Sequence, residues 1–154
     1  MALELKNQKA KLAHFNARSE MNGEDHVPAA DVKLELAIGA GDLAMFGPEL
    51  RSSWYTNDAA QKLRNPQLAG PFTWEGEIVG ATMTIHHGLG GKSDLVIQGC
   101  TVNGFKLTPQ EGGTVLVAMR VQCHPNEKEA GKLYAMVQNE LDVSLEPAQG
   151  ELQV

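Results

Sequence analysis

The sequence predicts an α+β fold made mainly of antiparallel β-sheet, curled into a partly closed barrel and carrying two or three short helices. Apolar residues alternate over Val32, Leu34, Leu36 and Ile38 and again over Val115, Val117, Met119 and Val121, the period of a strand with one buried face. Turn signals at Asn22-Gly23, Gly88 to Ser93 and Thr108 to Gly113 separate such runs at hairpin spacing. Helical spacing is confined to short stretches, which leaves sheet as the main layer.

Residues 9–20 read as the first strand, with Ala13, Phe15 and Ala17 on one side and Leu12, His14, Asn16 and Arg18 on the other. Asn22-Gly23 turns the chain because both residues tolerate positive φ. Asp31 to Ile38 is the next strand. Asp42 is placed to cap a short helix carrying Leu43, Met45 and Phe46, and Pro48 opens a second turn running through Leu50 to Trp54. Residues 55–71 read as a long surface loop, of the kind that often carries function. Residues 72–87 return to strand character, with bends expected at Gly76 and Gly80. Leu95 to Gln98, Cys100 to Leu107 and Thr114 to Cys123 follow as strands. Asn126 caps a helix over 127–139 whose inner residues are Leu133, Met136 and Val137. Leu141 to Leu145 closes the sheet, and 147–154 is a short acidic tail.

With 154 residues, 42% of them hydrophobic, the chain is read as a single domain spanning 1–154. The formal net charge of -6 counts against a protein whose whole surface grips nucleic acid, although it leaves room for a local basic patch. Such a patch is visible near the start, where Lys6, Lys9, Lys11 and Arg18 face only Glu4 before Glu20. There is no apolar run of about eighteen residues, so no membrane partner is expected. The opening Met-Ala-Leu-Glu-Leu-Lys lacks a signal-peptide layout, and two cysteines make no secreted disulfide framework, so a cytoplasmic location with reduced thiols is expected.

The stretch His86-His87-Gly88-Leu89-Gly90-Gly91-Lys92-Ser93 invites comparison with a phosphate-binding loop. That loop needs a glycine where His86 stands and a helix directly after the lysine, yet strand character follows Ser93. A hairpin tip is therefore expected. Zinc would need about four ligands, and His86, His87, Cys100, Cys123 and His124 include no Cys-x-x-Cys pair, so no metal or other cofactor is expected. A regular hairpin at Gln110-Glu111 brings Cys100 opposite residues near Gln122 and Cys123, making the thiols cross-strand neighbours. Catalysis by Cys or Ser needs a histidine and an orienting acid, but Cys123 and His124, adjacent on a strand, point to opposite faces. Glu75 and Glu77 share a strand face and read as solvated. No enzyme activity and no catalytic residues are expected.

Binding asks less of the residues. Single-stranded nucleic acid is held by basic grooves and by rings on which bases stack. Lys9, Lys11, Phe15 and Arg18 on the first strand, with Trp54, Tyr55, Lys62 and Arg64 near the long loop, are the candidates for both elements. An alternative is a small nucleotide held by the backbone of Gly88, Gly90 and Gly91 with Lys92 at its phosphate. A third is an exposed strand edge pairing with a host protein or with another copy of the chain as a homo-oligomer.

The stretches "AHFNARSEMNGEDHVPAADVKLEL", "PELRSSWY", "HHGLGGKSDLVIQGC" and "RVQCHPNEKEAGKLYAMVQNELDVSLE" together resemble small early-region proteins of tailed phages and prophages. That group has no assigned activity. The resemblance implies the cytoplasm of a bacterial host and an accessory role in replication, recombination or anti-defence, and it transfers no active-site residue.

Overall fold

The computed structural model describes residues 3–68, 70–86 and 94–148. Seven strands form one antiparallel sheet: β1 (Leu5–Asn22), β2 (Asp25–Gly39), β3 (Phe72–Trp74), β4 (Ile78–His86), β5 (Leu95–Pro109), β6 (Thr114–Cys123) and β7 (Glu140–Glu146). Their order is β3-β5-β4-β7-β1-β2-β6, and β6 pairs back onto β5. The return pairing closes a six-strand barrel, with β3 lying on β5 as a short addition. Closure removes exposed sheet edges along most of the wall.

The interior follows from alternation. Val32, Leu34, Leu36 and Ile38 on β2 and Val115, Val117, Met119 and Val121 on β6 all point into the barrel, as expected from their spacing. β5 shows why its sequence is harder to parse. Its buried residues fall at Leu95 and Ile97, then Cys100 and Val102, then Phe105 and Leu107, so the period of two slips twice. Each slip holds a glycine with positive φ, Gly99 at 70° and Gly104 at 68°, as a bulge in the strand requires. What read as two strands is therefore one long bent strand.

Other expectations change for similar reasons. A register shift between Leu12 and His14 on β1 buries both Leu12 and Ala13, while Phe15 is half-buried and Ala17 exposed. Residues 72–86 form two strands rather than one, and Glu75 and Glu77 lie in the link between them, not on a shared strand face. The first helix is a 3-10 turn over Ala40–Met45, capped at Gly39, with Asp42 inside its first turn rather than at the cap. It leads to α1 (Leu50–Trp54), and Phe46 meets Phe105 edge to face with centroids 5.4 Å apart. α2 (Glu127–Ala135) starts where expected: Asn126 accepts from the Glu129 amide, and the Glu129 carboxylate accepts from the Asn126 amide. It adds Leu133 and the following Met136 to the core, while Val137 is half-buried.

Candidate functional site

The alternation that fills the barrel also decides what covers it. On the outer face of β1, β2, β6 and β5, the pairing sets Lys11, Glu35, Ala118 and Lys106 side by side in one row. The next row holds His14, Lys33, Arg120 and Asn103. Rows on one face repeat every second residue, about 7 Å apart, and adjacent strands lie about 4.8 Å apart. Ala37, Ala118 and the exposed Leu116 are too small or too flat to fill the space between the long side chains, so a trough of about 670 Å³ runs between Lys9, Lys11, Lys33 and Lys106. A second hollow of about 360 Å³ shares Lys33, Lys106 and Ala118 with it and extends to Arg120.

Five cations thus border a face whose acids are Glu35, Glu140 and Asp31, in a chain of net charge -6. They are loosely held. Lys9 stands 3.9 Å from Glu140 and Lys33 3.9 Å from Glu35, exposed pairs that contribute little. Lys106 donates to the Thr73 hydroxyl at 2.8 Å and Arg120 to the Asn103 carbonyl at 3.0 Å, so both keep their charge uncancelled. Lys9 and Lys11 are where the sequence reading placed a basic surface. Lys33, Lys106 and Arg120 were missed: Lys33 comes beside β1 through the β1–β2 hairpin, Arg120 through the pairing of β6 with β2, and Lys106 through the closing pairing of β5 with β6.

The other sequence candidates within the described residues do not line these two hollows. Arg18 is held by Glu20 and by Asp31, the latter at 3.2 Å, and these hydrogen bonds raise its pKa, Glu20 contributing most. Glu20 in turn receives His124 at 2.6 Å, and its carboxyl sits below the usual range, through Arg18 first and His124 second. Phe15 packs edge to face on Tyr134, and Trp54 stacks on Phe72 with ring centroids 5.2 Å apart. Tyr55 is fully buried, contrary to its expected place on a binding surface. Its hydroxyl donates to the Gln110 carbonyl at 2.7 Å and accepts from the Gln110 amide at 2.9 Å, anchoring the long loop to the β5–β6 turn. Burial raises its pKa. Lys62 and Arg64 are exposed on that loop, away from the trough. Gly88, Gly90, Gly91 and Lys92, the alternative ligand site, lie outside the described residues, as does His87.

The thiols are neighbours, as the register of the hairpin required. Thr101 pairs with Gln122, so Cys100 and Cys123 face each other inside the barrel, both free and fully buried. Their mutual hydrogen bond lowers the pKa of Cys100 and, with burial, raises that of Cys123. Among the described residues no three His, Cys, Asp or Glu side chains gather as metal ligands do.

A second polar constellation was not anticipated at all. On the outer face of β4 and β7, His86 Nε2 lies 2.8 Å from Ser144 Oγ, and His86 Nδ1 lies 3.1 Å from Asp94 Oδ2. The ladder explains the meeting: Leu95 pairs with Ile85 and Ser144 with Thr84, so the outward positions beside them converge on His86. The Asn7 amide donates to Ser144 Oγ at 3.0 Å. It is free to do so because the β1–β7 register shifts between Leu5 and Gln8, with Asn7 at a φ of 47°.

Comparison of the chain with protein-family models, curated sequences and solved structures finds no match.

Proposed function

We propose that the protein works by binding, and that its ligand is single-stranded nucleic acid laid along the outer face of β1, β2, β6 and β5. The observation that carries this reading is the gathering of Lys9, Lys11, Lys33, Lys106 and Arg120 around an alanine-floored trough in an acidic chain. A shallow floor lets a sugar-phosphate backbone approach the sheet, and mobile lysines at several rows meet successive phosphates by releasing counterions. The trough spans three strand spacings, about 14 Å, which suits one strand. Its lining includes no Phe, Tyr or Trp side chain, so recognition rests on phosphates, and sequence preference is weak. The role in phage replication or recombination belongs to the same proposal and rests on the resemblance in sequence alone.

The test is a titration of a labelled oligothymidylate with purified protein at low salt, followed by anisotropy, beside a variant carrying Lys11→Glu, Lys33→Glu and Lys106→Glu. Saturable binding by the native chain and its loss in the variant support the reading. No binding by the native chain at micromolar concentration, or equal binding by both, overturns it.

A further inference from the structure

We infer that Ser144 is a nucleophile for small activated acyl esters, with His86 as its general base and Asp94 as the residue that positions the imidazole. This goes beyond nucleic-acid binding, does not rest on it, and departs from the expectation of a chain without catalysis.

The warrant is geometric. A hydroxyl is a weak nucleophile until a base within hydrogen-bond reach takes its proton and a third group orients that base. The separations here, 2.8 Å from Ser144 Oγ to His86 Nε2 and 3.1 Å from His86 Nδ1 to Asp94 Oδ2, put each group on the ring nitrogen its role needs. The Asp94 carboxylate favours the tautomer with its proton on Nδ1, which leaves the Nε2 lone pair for the serine proton. Sheet pairing fixes two of the positions, since Ser144 stands between the inward Val143 and Leu145, and His86 next to the inward Ile85.

The bulge on β1 holds the hydroxyl in place. It frees the Asn7 N–H from the ladder and aims it at Ser144 Oγ, 3.0 Å away. An N–H on one lone pair of Oγ orients the hydroxyl, so that its proton faces His86 Nε2. Asn7 holds a left-handed backbone conformation to do this, a local cost often found beside functional groups.

The reaction balances with water as the only co-reactant. Ser144 Oγ bonds to the ester carbonyl carbon while its proton passes to His86 Nε2. The carbon–oxygen bond to the alcohol then breaks, and the alcohol leaves with that proton. Water, deprotonated by His86, attacks the acyl-serine, releases the acid and restores the hydroxyl.

The experiment treats the full chain with a fluorophosphonate probe and maps the label by peptide mass spectrometry, with p-nitrophenyl acetate hydrolysis followed in parallel. Labelling of Ser144 in the native protein is expected. His86→Gln should slow labelling about a hundredfold or more. Asp94→Asn should slow it while leaving the label on Ser144. The native mapping needs no variant, so a Ser144→Ala chain that fails to fold does not blunt the test. A folded native chain that stays unlabelled, a label on another residue, or a His86→Gln rate equal to the native one overturns the inference.

Discussion

On the outer face of β1, β2, β6 and β5, Lys9 and Lys33 stand 3.9 Å from their nearest acids, whereas on the outer face of β4 and β7 His86 is pinned on both nitrogens at 2.8 and 3.1 Å. Both faces are built from outward positions of one barrel. The first leaves charge mobile in water, where it can follow a flexible polyanion and costs little to present. The second pins the Ser144 hydroxyl and both His86 nitrogens, which is what proton transfer at a defined atom needs. Position in the ladder decides between them: alanines flank the lysines, while a bulge and a neighbouring strand supply partners to Ser144.

Substitutions separate the two faces, beginning with the largest effect. Reversing charge at Lys11, Lys33 and Lys106 should lower affinity for an oligothymidylate about a hundredfold or more at low salt, while fluorophosphonate labelling of Ser144 stays unchanged. If the labelling falls as well, the two faces are not independent. Next comes Ser144→Ala, which leaves the Asn7 amide and His86 Nε2 without their partner and should cost about 1–3 kcal/mol by urea denaturation. Lys33→Ala, on the open face, should stay within about 0.5 kcal/mol. Equal costs would contradict the contrast between fixed and mobile groups.

Smaller effects sharpen it. Asn7→Val places a β-branched side chain at positive φ and should cost about 1–2 kcal/mol, whereas Asn7→Gly should cost little, because glycine accepts that conformation. Arg18→Ala should change nucleic-acid affinity less than about twofold, since its charge is already met by Glu20 and Asp31 and no counterion release is lost. Glu20→Gln gives the smallest effect and a pH signature. Arg18 and then His124 hold the Glu20 carboxyl below its ordinary range, so its contribution is present above that range and fades as pH falls through the lowered value. Native and variant melting temperatures should therefore differ at neutral pH and converge in acid.

Much of the barrel was legible in the sequence. β2 and β6 carry unbroken alternation, the Asn126–Glu129 capping box marks α2, and the hairpin register brought Cys100 to Cys123. β5 was misread because Gly99 and Gly104 shift its phase, and a bulge cannot be told from a turn by local pattern alone. The basic face was half legible. Lys9 and Lys11 are close in sequence, Lys33 joins them through the β1–β2 hairpin and Arg120 through the pairing of β6 with β2, while Lys106 joins only through closure of β5 on β6; all three sit at outward positions of alternating strands, and that signal was available. The Ser144 site was not legible. Ser144 and His86 are brought together by the pairing of β4 with β7, which are separated by two strands and a helix in the chain, and no spacing rule reports such a contact. Tyr55 was misplaced because an aromatic in a polar loop reads the same whether it faces water or anchors the loop to the β5–β6 turn.

The central claim, that the lysine-lined face holds a nucleic-acid strand by its phosphates, is tested most directly by the salt dependence of binding. Oligothymidylate titrations from low to moderate salt should give a straight line of log affinity against log salt with a slope of about -3, as about four phosphate contacts on a single strand require. The Lys11, Lys33 and Lys106 charge reversals should remove most of that slope. Affinity that does not change with salt, or a slope retained in full by the variant, would contradict the account.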